Sequence, residues 1–508
     1  MATRDERAPG RMVGADRAGE LRVAARDWPS WSLTPRQIAD LELVLNGSFA
    51  PLTGFLGRAD HDSVLRARRL TDGTPWPVPV TLDVTDAAAE QAATAGYLAL
   101  RDPEGVLIAV LEVTDRFRPD REVEAELLFG TRHGAHPGVD RVLRLTHAER
   151  LGGPVEGVEL PTHWSFSDHR LAPVDTLARR SPSAAGHVAG FATCDPPLAD
   201  DLDALRAAGA AGATVLVVVT TGPGPAAFDA YTVMRTWHAV LPHLPESTIV
   251  GAVPLSRTGD PERDTALAEI VLRNLGVTEM VPAAAVEPAS APAALRERLD
   301  RGLGLPHGAT PAEAEDELRR SCRPRDERGL TVFMTGYSGS GKSTVAQALA
   351  ARLRERGGRS VTLLDGDLVR HHLSSELGFS REHRDLNIRR IGFVAAEITR
   401  AGGIAICAPI APYDAVRRDV RAMVEDAGGF VLVHISTPLE VCEARDRKGL
   451  YAKARAGIIG EFTGISAPYQ EPTDAELTID TSDIDVEAAV ALILDHLTDA
   501  GYLAPEAD

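Results

Sequence analysis

Residues 336–343 read GYSGSGKS, a complete G-x-x-x-x-G-K-[ST] phosphate loop, and no other feature constrains the fold of this chain as tightly. Such a loop needs a buried strand before it and a helix after it. Residues 330–335 (LTVFMT) have the β-branched and aromatic character of a buried strand. Residues 344–354 (TVAQALAARLR) carry apolar residues at helical spacing and stop at Gly357 and Gly358. Between them the glycines let backbone N–H groups fold around phosphate oxygens. The expected ATP-binding residues are Gly336, Tyr337, Ser338, Gly339, Ser340, Gly341, Lys342, Ser343 and Thr344. Lys342 is expected to reach the β- and γ-phosphates, and the Ser343 hydroxyl to sit on Mg²⁺.

One strand further on, residues 361–367 (VTLLDGD) form an apolar run ending in Asp365 and Asp367. Carboxylates at the C-terminal end of a parallel strand face the ligand crevice of an open α/β sheet. There they can hold Mg²⁺ through water or accept a proton from an attacking hydroxyl.

Four further stretches follow in order: DGDLVR at 365–370, GFSREHRDLNIRR at 378–390, APIAPY at 408–413 and KGLYAKARAGIIGEFTGISAPY at 448–469. On these motifs, residues 329–500 resemble adenosine 5'-phosphosulfate (APS) kinase, which phosphorylates the ribose 3'-hydroxyl of adenylyl sulfate to give PAPS. The resemblance implies Asp367 as general base and Mg²⁺ partner, supported by Asp365. It implies Arg370 and Arg384 on the phosphosulfate, where planar, always-charged donors suit the anion. Asn387 would be a polar substrate contact, and Phe379 and Phe462 rings that sandwich adenine. Lys448, Lys453 and Arg455 would lie in a basic lid that offsets transition-state charge. Two positions depart from the family. Ala411 replaces the serine of its I-S-P element, so no phosphoserine can form there and transfer is expected to be direct and in line. Ser466 replaces the acid of FTGID, an expected loosening on the substrate side.

The first 300 residues carry a different pattern. Residues 33–56 (LTPRQIADLELVLNGSFAPLTGFL) open as a capped helix and close on a Gly/Pro turn. Short alternating runs at 77–84, 97–101 and 106–113 predict a small β-rich domain to about residue 168. Beyond it, a strand at 214–220, a helix at 229–241, a strand at 248–255 and a helix at 264–275 predict an α/β sheet. Residues 283–328, rich in Ala, Pro, Glu and Arg, read as a linker with one or two short helices.

This half resembles ATP sulfurylase, the enzyme that makes adenylyl sulfate. The resemblance rests on 33–56, LRDPEGVLIAVLEV at 100–113, LFGTRHGAHPGV at 128–139, DAYTVMR at 229–235 and VPLSRTGDPERDTALAEIVLRNLG at 253–276. Its catalytic motifs are not kept. The Q-x-R-N-P-x-H-x-x-H stretch falls on ATCDPPLADD, with Ala192, Cys194, Asp195, Leu198 and Asp201 in place of Gln, Arg, Asn and both histidines. G-R-D-H falls on AAAV at 283–286, M-R-M-A-G-P-R-E on RTGDPERD at 257–264, and an expected histidine on Ala268. Losing cationic and imidazole groups while gaining acids removes what adenylyl transfer needs, so a retained fold without that chemistry is expected.

The expected architecture is α/β and multidomain. Residues 1–22 form a disordered tail, 23–168 a β-rich PUA-like domain and 169–300 a Rossmann-like, nucleotidyltransferase-type domain. A linker at 301–328 leads to a P-loop kinase with a parallel sheet at 329–508. The 508 residues carry a net charge of −19, which argues against nucleic-acid or membrane partners. Four cysteines without C-x-x-C spacing and a first segment unlike a signal peptide predict a cytoplasmic protein with reduced thiols. The expected small-molecule partners are ATP with Mg²⁺ and adenylyl sulfate. Self-association is expected from both resemblances, and a separate, active sulfurylase is an expected source of substrate. Three readings stay open on sequence: this kinase, a kinase of another nucleotide or small-molecule hydroxyl, and a nucleotide sensor without turnover. Retained sulfurylase activity is the further alternative for the first half.

Overall fold

The computed structural model describes residues 10–134, 136–173, 186–283, 288–378, 380–446 and 449–504, and of residues 137, 367 and 368 the backbone alone. Two compact units divide the chain, one of residues 1–296 and 305–321, the other of 297–304 and 322–508. No described helix is long and apolar enough to cross a membrane.

The first unit opens on the helix Ala15–Ala24, where a disordered tail is expected from sequence. Ala18 and Leu21, spaced by three residues, bury against Ala99, Leu107, Val110 and Val158, and that packing holds a segment whose composition is mostly polar. The helix Pro35–Leu45 begins at a capping box. Thr34 Oγ1 accepts the Gln37 N–H at 3.3 Å, and Gln37 Oε1 accepts the Thr34 N–H at 3.0 Å. A seven-stranded sheet follows, in which Tyr97–Arg101 and Leu107–Glu112 pair antiparallel. Of the expected 77–84 strand only Leu82–Val84 forms. Pro77 and Pro79 have no N–H to give to a ladder.

A second sheet has the order Ile249–Val253, Thr214–Thr220, Val188–Thr193, Glu279–Met280, all parallel. Helices Ala230–Ala239 and Pro261–Asn274 fall where the pattern predicts them. The two sheets share one continuous core, from Leu41 and Leu82 to Val218 and Val271. The expected linker is only partly a linker. Its helix Ala312–Ser321 buries Ala314 and Leu318, and Glu317 pairs with Arg235 of the helix Ala230–Ala239 at 2.5 Å.

The second unit is a five-stranded, fully parallel sheet in the order Val361–Leu364, Ile404–Cys407, Leu330–Thr335, Gly429–Ile435, Leu477–Ile479. The first strand in sequence lies between the third and the fourth, so the chain winds in opposite senses on either side of it. That is the switch point where α/β sheets bind ligands. Helices Lys342–Arg356 and Val486–Asp499 pack with one face of the sheet around Val332, Ile406 and Val433. Helices Arg381–Arg400 and Asp414–Glu425 pack with the other around Phe333, Ala405 and Leu432.

Candidate active site

The phosphate loop joins the central strand to the helix Lys342–Arg356, whose N-cap Gly341 is left-handed at φ 97°. Gly336 has φ 150°, and a Cβ there would stand 2.3 Å from the Ile435 carbonyl. Gly336→Ala should therefore displace the loop, with backbone strain of roughly 1–2 kcal/mol before any clash. ATP binding should fall together with the melting temperature of the variant.

Lys342 is 6% exposed. Its Nζ donates to the carbonyls of Gly336 at 2.9 Å and Tyr337 at 2.6 Å, with Ser340 Oγ at 3.3 Å. The far side of the loop is held by side chains that sequence reading did not single out. Thr481 Oγ1 donates to Ser340 O at 2.9 Å, Thr437 Oγ1 lies 2.8 Å from Thr481 Oγ1 and 3.2 Å from Ser340 O, and Tyr451 donates to Ser338 O at 2.8 Å. Each is far from residues 336–343 in sequence; Thr437 and Thr481 lie in none of the motifs, and Tyr451 lies within the 448–469 stretch with nothing there to tie it to the loop.

Asp365 follows the strand Val361–Leu364, and its carbonyl accepts from the Val369 N–H at 2.9 Å as the helix Gly366–Leu373 begins. Asp367 lies in the first turn of that helix; its side chain, like all of Phe379 and Lys448, is outside the described residues. Ser343 and Asp365 offer hard oxygen donors at the same edge of the sheet. This set fits Mg²⁺, which takes few protein ligands and fills the rest from water and phosphate. Among the described residues no cluster of three His, Cys, Asp or Glu could hold a metal by itself.

Arg370 donates to the carbonyls of Leu377 and Gly378, each at 3.0 Å. Arg384, on the helix Arg381–Arg400, reaches Thr463 Oγ1 at 3.2 Å and the Glu461 carbonyl. It thereby holds the turn that carries Phe462. Asn387, one turn along the same helix, is 5% exposed, and its Oδ1 has no hydrogen-bond partner. A buried acceptor left so is costly unless a ligand donor meets it. Phe462 packs edge-on against Tyr451 at 5.0 Å.

Two of the side chains named from the motifs are engaged locally. Ser466 faces its own turn, accepting the Phe462 N–H at 2.8 Å and donating to Gly460 O at 2.7 Å. Arg455 is held by both oxygens of Glu443, each at 2.9 Å, and a lid role would have to break that pair.

The corresponding edge of the first unit's parallel sheet is built from other chemistry. Cys194 and Asp195 follow the strand Val188–Thr193. Burial pushes the Cys194 thiol up to about 11, and burial also raises the Asp195 carboxyl. Arg257 spends its guanidinium on backbone carbonyls, those of Pro225, Thr220 and Gly224, at 2.9, 3.0 and 3.0 Å. Asp264 caps the same segment through Thr258 N, Thr258 Oγ1 and Gly259 N. Residues 284–286 of the AAAV stretch are outside the described residues.

Residues 328–480 match the adenylylsulphate kinase family model, and residues 5–160 the PUA-like domain model. The sulfate adenylyltransferase of Emericella nidulans is 37% identical over 557 residues, covering 96% of this chain and 96% of that protein. The chain belongs to the sulfate adenylyltransferase family. Another sulfate adenylyltransferase, from Mycosarcoma maydis, is 37% identical over 92% of this chain and 93% of that protein. Among solved structures, a hexameric APS kinase from Thiobacillus denitrificans is 33% identical, with a TM-score of 0.71 over 97% of this chain and 98% of that one. The architecture is that of a fused sulfate adenylyltransferase and APS kinase: a PUA-like domain at the N-terminal end and a P-loop kinase domain at the C-terminal end.

Proposed function

We propose that this family member phosphorylates the ribose 3'-hydroxyl of adenosine 5'-phosphosulfate with ATP, and that its sulfurylase-like unit does not transfer adenylyl groups. The observation that carries the kinase reading is the convergence at one sheet edge of the phosphate loop, the Asp365–Asp367 turn and the helix bearing Arg384 and Asn387. In the proposed step Asp367 takes the proton of the 3'-hydroxyl and the 3'-oxygen bonds to the γ-phosphorus. The bond from that phosphorus to the β–γ bridging oxygen breaks, and ADP leaves. Lys342 offsets charge on the transferring group, and Mg²⁺, held by Ser343 and Asp367, would neutralise the phosphate oxygens when bound. Arg370, Arg384 and Asn387 orient the acceptor, with Phe379 and Phe462 against its adenine. Lys448 is the lid cation that the alignment of motifs supports.

Adenylyl sulfate should give far faster ADP release than other nucleotides or sugars in a coupled assay. An equal rate with unrelated hydroxyl acceptors would redirect the substrate assignment. Arg384→Ala should raise KM for adenylyl sulfate about ten- to hundredfold and spare that for ATP, since a hydrogen bond to a charged group contributes about 1.5–3 kcal/mol. A matching loss for ATP would move Arg384 to the donor side.

The names of the full-length relatives favour a second reading, retained sulfate adenylyl transfer. The residues at 192–201 and 257–264 weigh against it. Self-association is also proposed, because one relative of known structure is a hexameric APS kinase; light scattering of the full chain tests it.

A further inference from the structure

Below the phosphate loop lies a polar network that no step of the proposed reaction uses. Thr335, the buried last residue of the central strand, has Oγ1 2.7 Å from the Ile410 carbonyl and 3.2 Å from that of Ala411. The Tyr469 hydroxyl is 3.0 Å from the same Oγ1. Threonine has one proton, and the shorter contact takes it. Tyr469 must then donate to Thr335. Burial pushes the Tyr469 phenol up to about 12, so it keeps the proton it donates.

Arg417 enters from the other side. It is 2% exposed, and its Nη1 donates to the Ala411 carbonyl at 2.8 Å. Its guanidinium carbon lies 5.9 Å from the Tyr469 ring centre. Nε and Nη2 have no hydrogen-bond partner, although Nη2 is 3.7 Å from Asp414 Oδ1. Ala411 itself has φ 44°, a strained conformation for a residue with a side chain. A strained peptide and a buried cation with idle donors both oppose stability. Such features persist where the surroundings hold them, and they cluster at functional sites.

The pinned 410–411 peptide stands between the two halves of the proposed site. On one side the Gly336 N–H of the phosphate loop points to Ile410 O at 3.4 Å. On the other, the Ala408 N–H donates to Leu364 O at 3.3 Å, one residue before Asp365. Gln470, next to Tyr469, closes the loop by donating its N–H to Pro412 O at 2.8 Å.

We propose that Tyr469, Thr335 and Arg417 are positioning residues for phosphoryl transfer: they pin the 410–411 peptide and so set the spacing between the phosphate loop and the carboxylate turn. This role rests on the kinase reading. It predicts a loss in turnover rather than in binding, because misplacement by about 1 Å costs roughly a hundredfold in rate.

The test uses the full chain with ATP and adenylyl sulfate. Tyr469→Phe keeps the ring and Thr335→Val keeps the shape; each removes one hydroxyl. Each should lower kcat about ten- to hundredfold with both KM values within about twofold. Because Tyr469 acts through Thr335, the double variant should be no worse than the poorer single one. Arg417→Met should lose turnover similarly, and Arg417→Lys, which can still donate to Ala411 O, should recover most of it. Full turnover in Tyr469→Phe and Arg417→Met, or a multiplicative loss in the double variant, overturns the role. So does a loss shared by KM and melting temperature without the split in kcat. A wild-type chain inactive toward adenylyl sulfate overturns the kinase reading and this role with it, whereas an active wild type with fully active variants overturns this role alone.

Discussion

Lys342→Ala should lower phosphoryl transfer by about three orders of magnitude, because removing one preorganised donor from a transition-state charge costs about 10²–10³-fold in kcat. The wild-type ammonium is buried within the loop, bonded to the carbonyls of Gly336 and Tyr337. Its removal takes away the cation proposed for the phosphates and three loop contacts at once. ATP affinity should fall much less, since the backbone N–H groups of 339–344 stay in place and Thr437, Thr481 and Tyr451 still hold the loop from behind. Equilibrium binding of a non-hydrolysable ATP analogue, set beside single-turnover ADP formation, separates the two effects. A variant within tenfold of wild-type turnover would remove Lys342 from the chemistry. One that no longer binds nucleotide would recast it as a structural strut of the loop.

Purified full-length protein should show no sulfate-dependent release of pyrophosphate from ATP. Adenylyl transfer places negative charge on the α-phosphoryl group and on departing pyrophosphate, and an active site must offer cations or imidazoles to that charge. At the edge of the first unit's parallel sheet, Arg257 has its guanidinium committed to three backbone carbonyls. Cys194 is a half-buried thiol held in its neutral form, and Asp195, Asp201 and Asp264 add acid where cations would be wanted. Sulfate-dependent release that survives Lys342→Ala but is lost on changing residues in 190–264 would establish adenylyl transfer and refute the inert-unit proposal.

The kinase unit was the more legible half because its signals are local. A phosphate loop, the run before it and the helix after it lie within 27 residues, from Leu330 to Arg356. Motif order singled out Arg370, Arg384 and Asn387, and the structure puts them on the helices Gly366–Leu373 and Arg381–Arg400. Their partners could not. Nothing at Arg455 announces Glu443 twelve residues earlier, and Ser466 gives no sign that its hydroxyl turns back onto Phe462 N and Gly460 O. The helix at 15–24 was hidden for a related reason, and the one at 312–321 was expected only as a short linker helix, without its packing. Each has few apolar residues, and those few, Leu21 and Leu318 among them, matter only once a distant surface receives them. The strand Val188–Thr193 mixes Gly, Ala and Thr, with too little alternation to stand out.

The chain enters the second compact unit at 297, returns to the first at 305 and leaves it for good at 322. Modular exchange is therefore not a matter of one junction. A chimera joined near residue 300 would part the helix Ala312–Ser321 from Arg235 and the helix Ala230–Ala239 that it packs on. It would also carry 297–304 away from Arg328, which pairs with Asp300. Grafting either unit onto a foreign partner, by recombination or by design, requires the whole 297–321 crossover to travel with matched surfaces on both sides. A lineage that acquired this interleaving would find its two halves hard to separate again into independent genes.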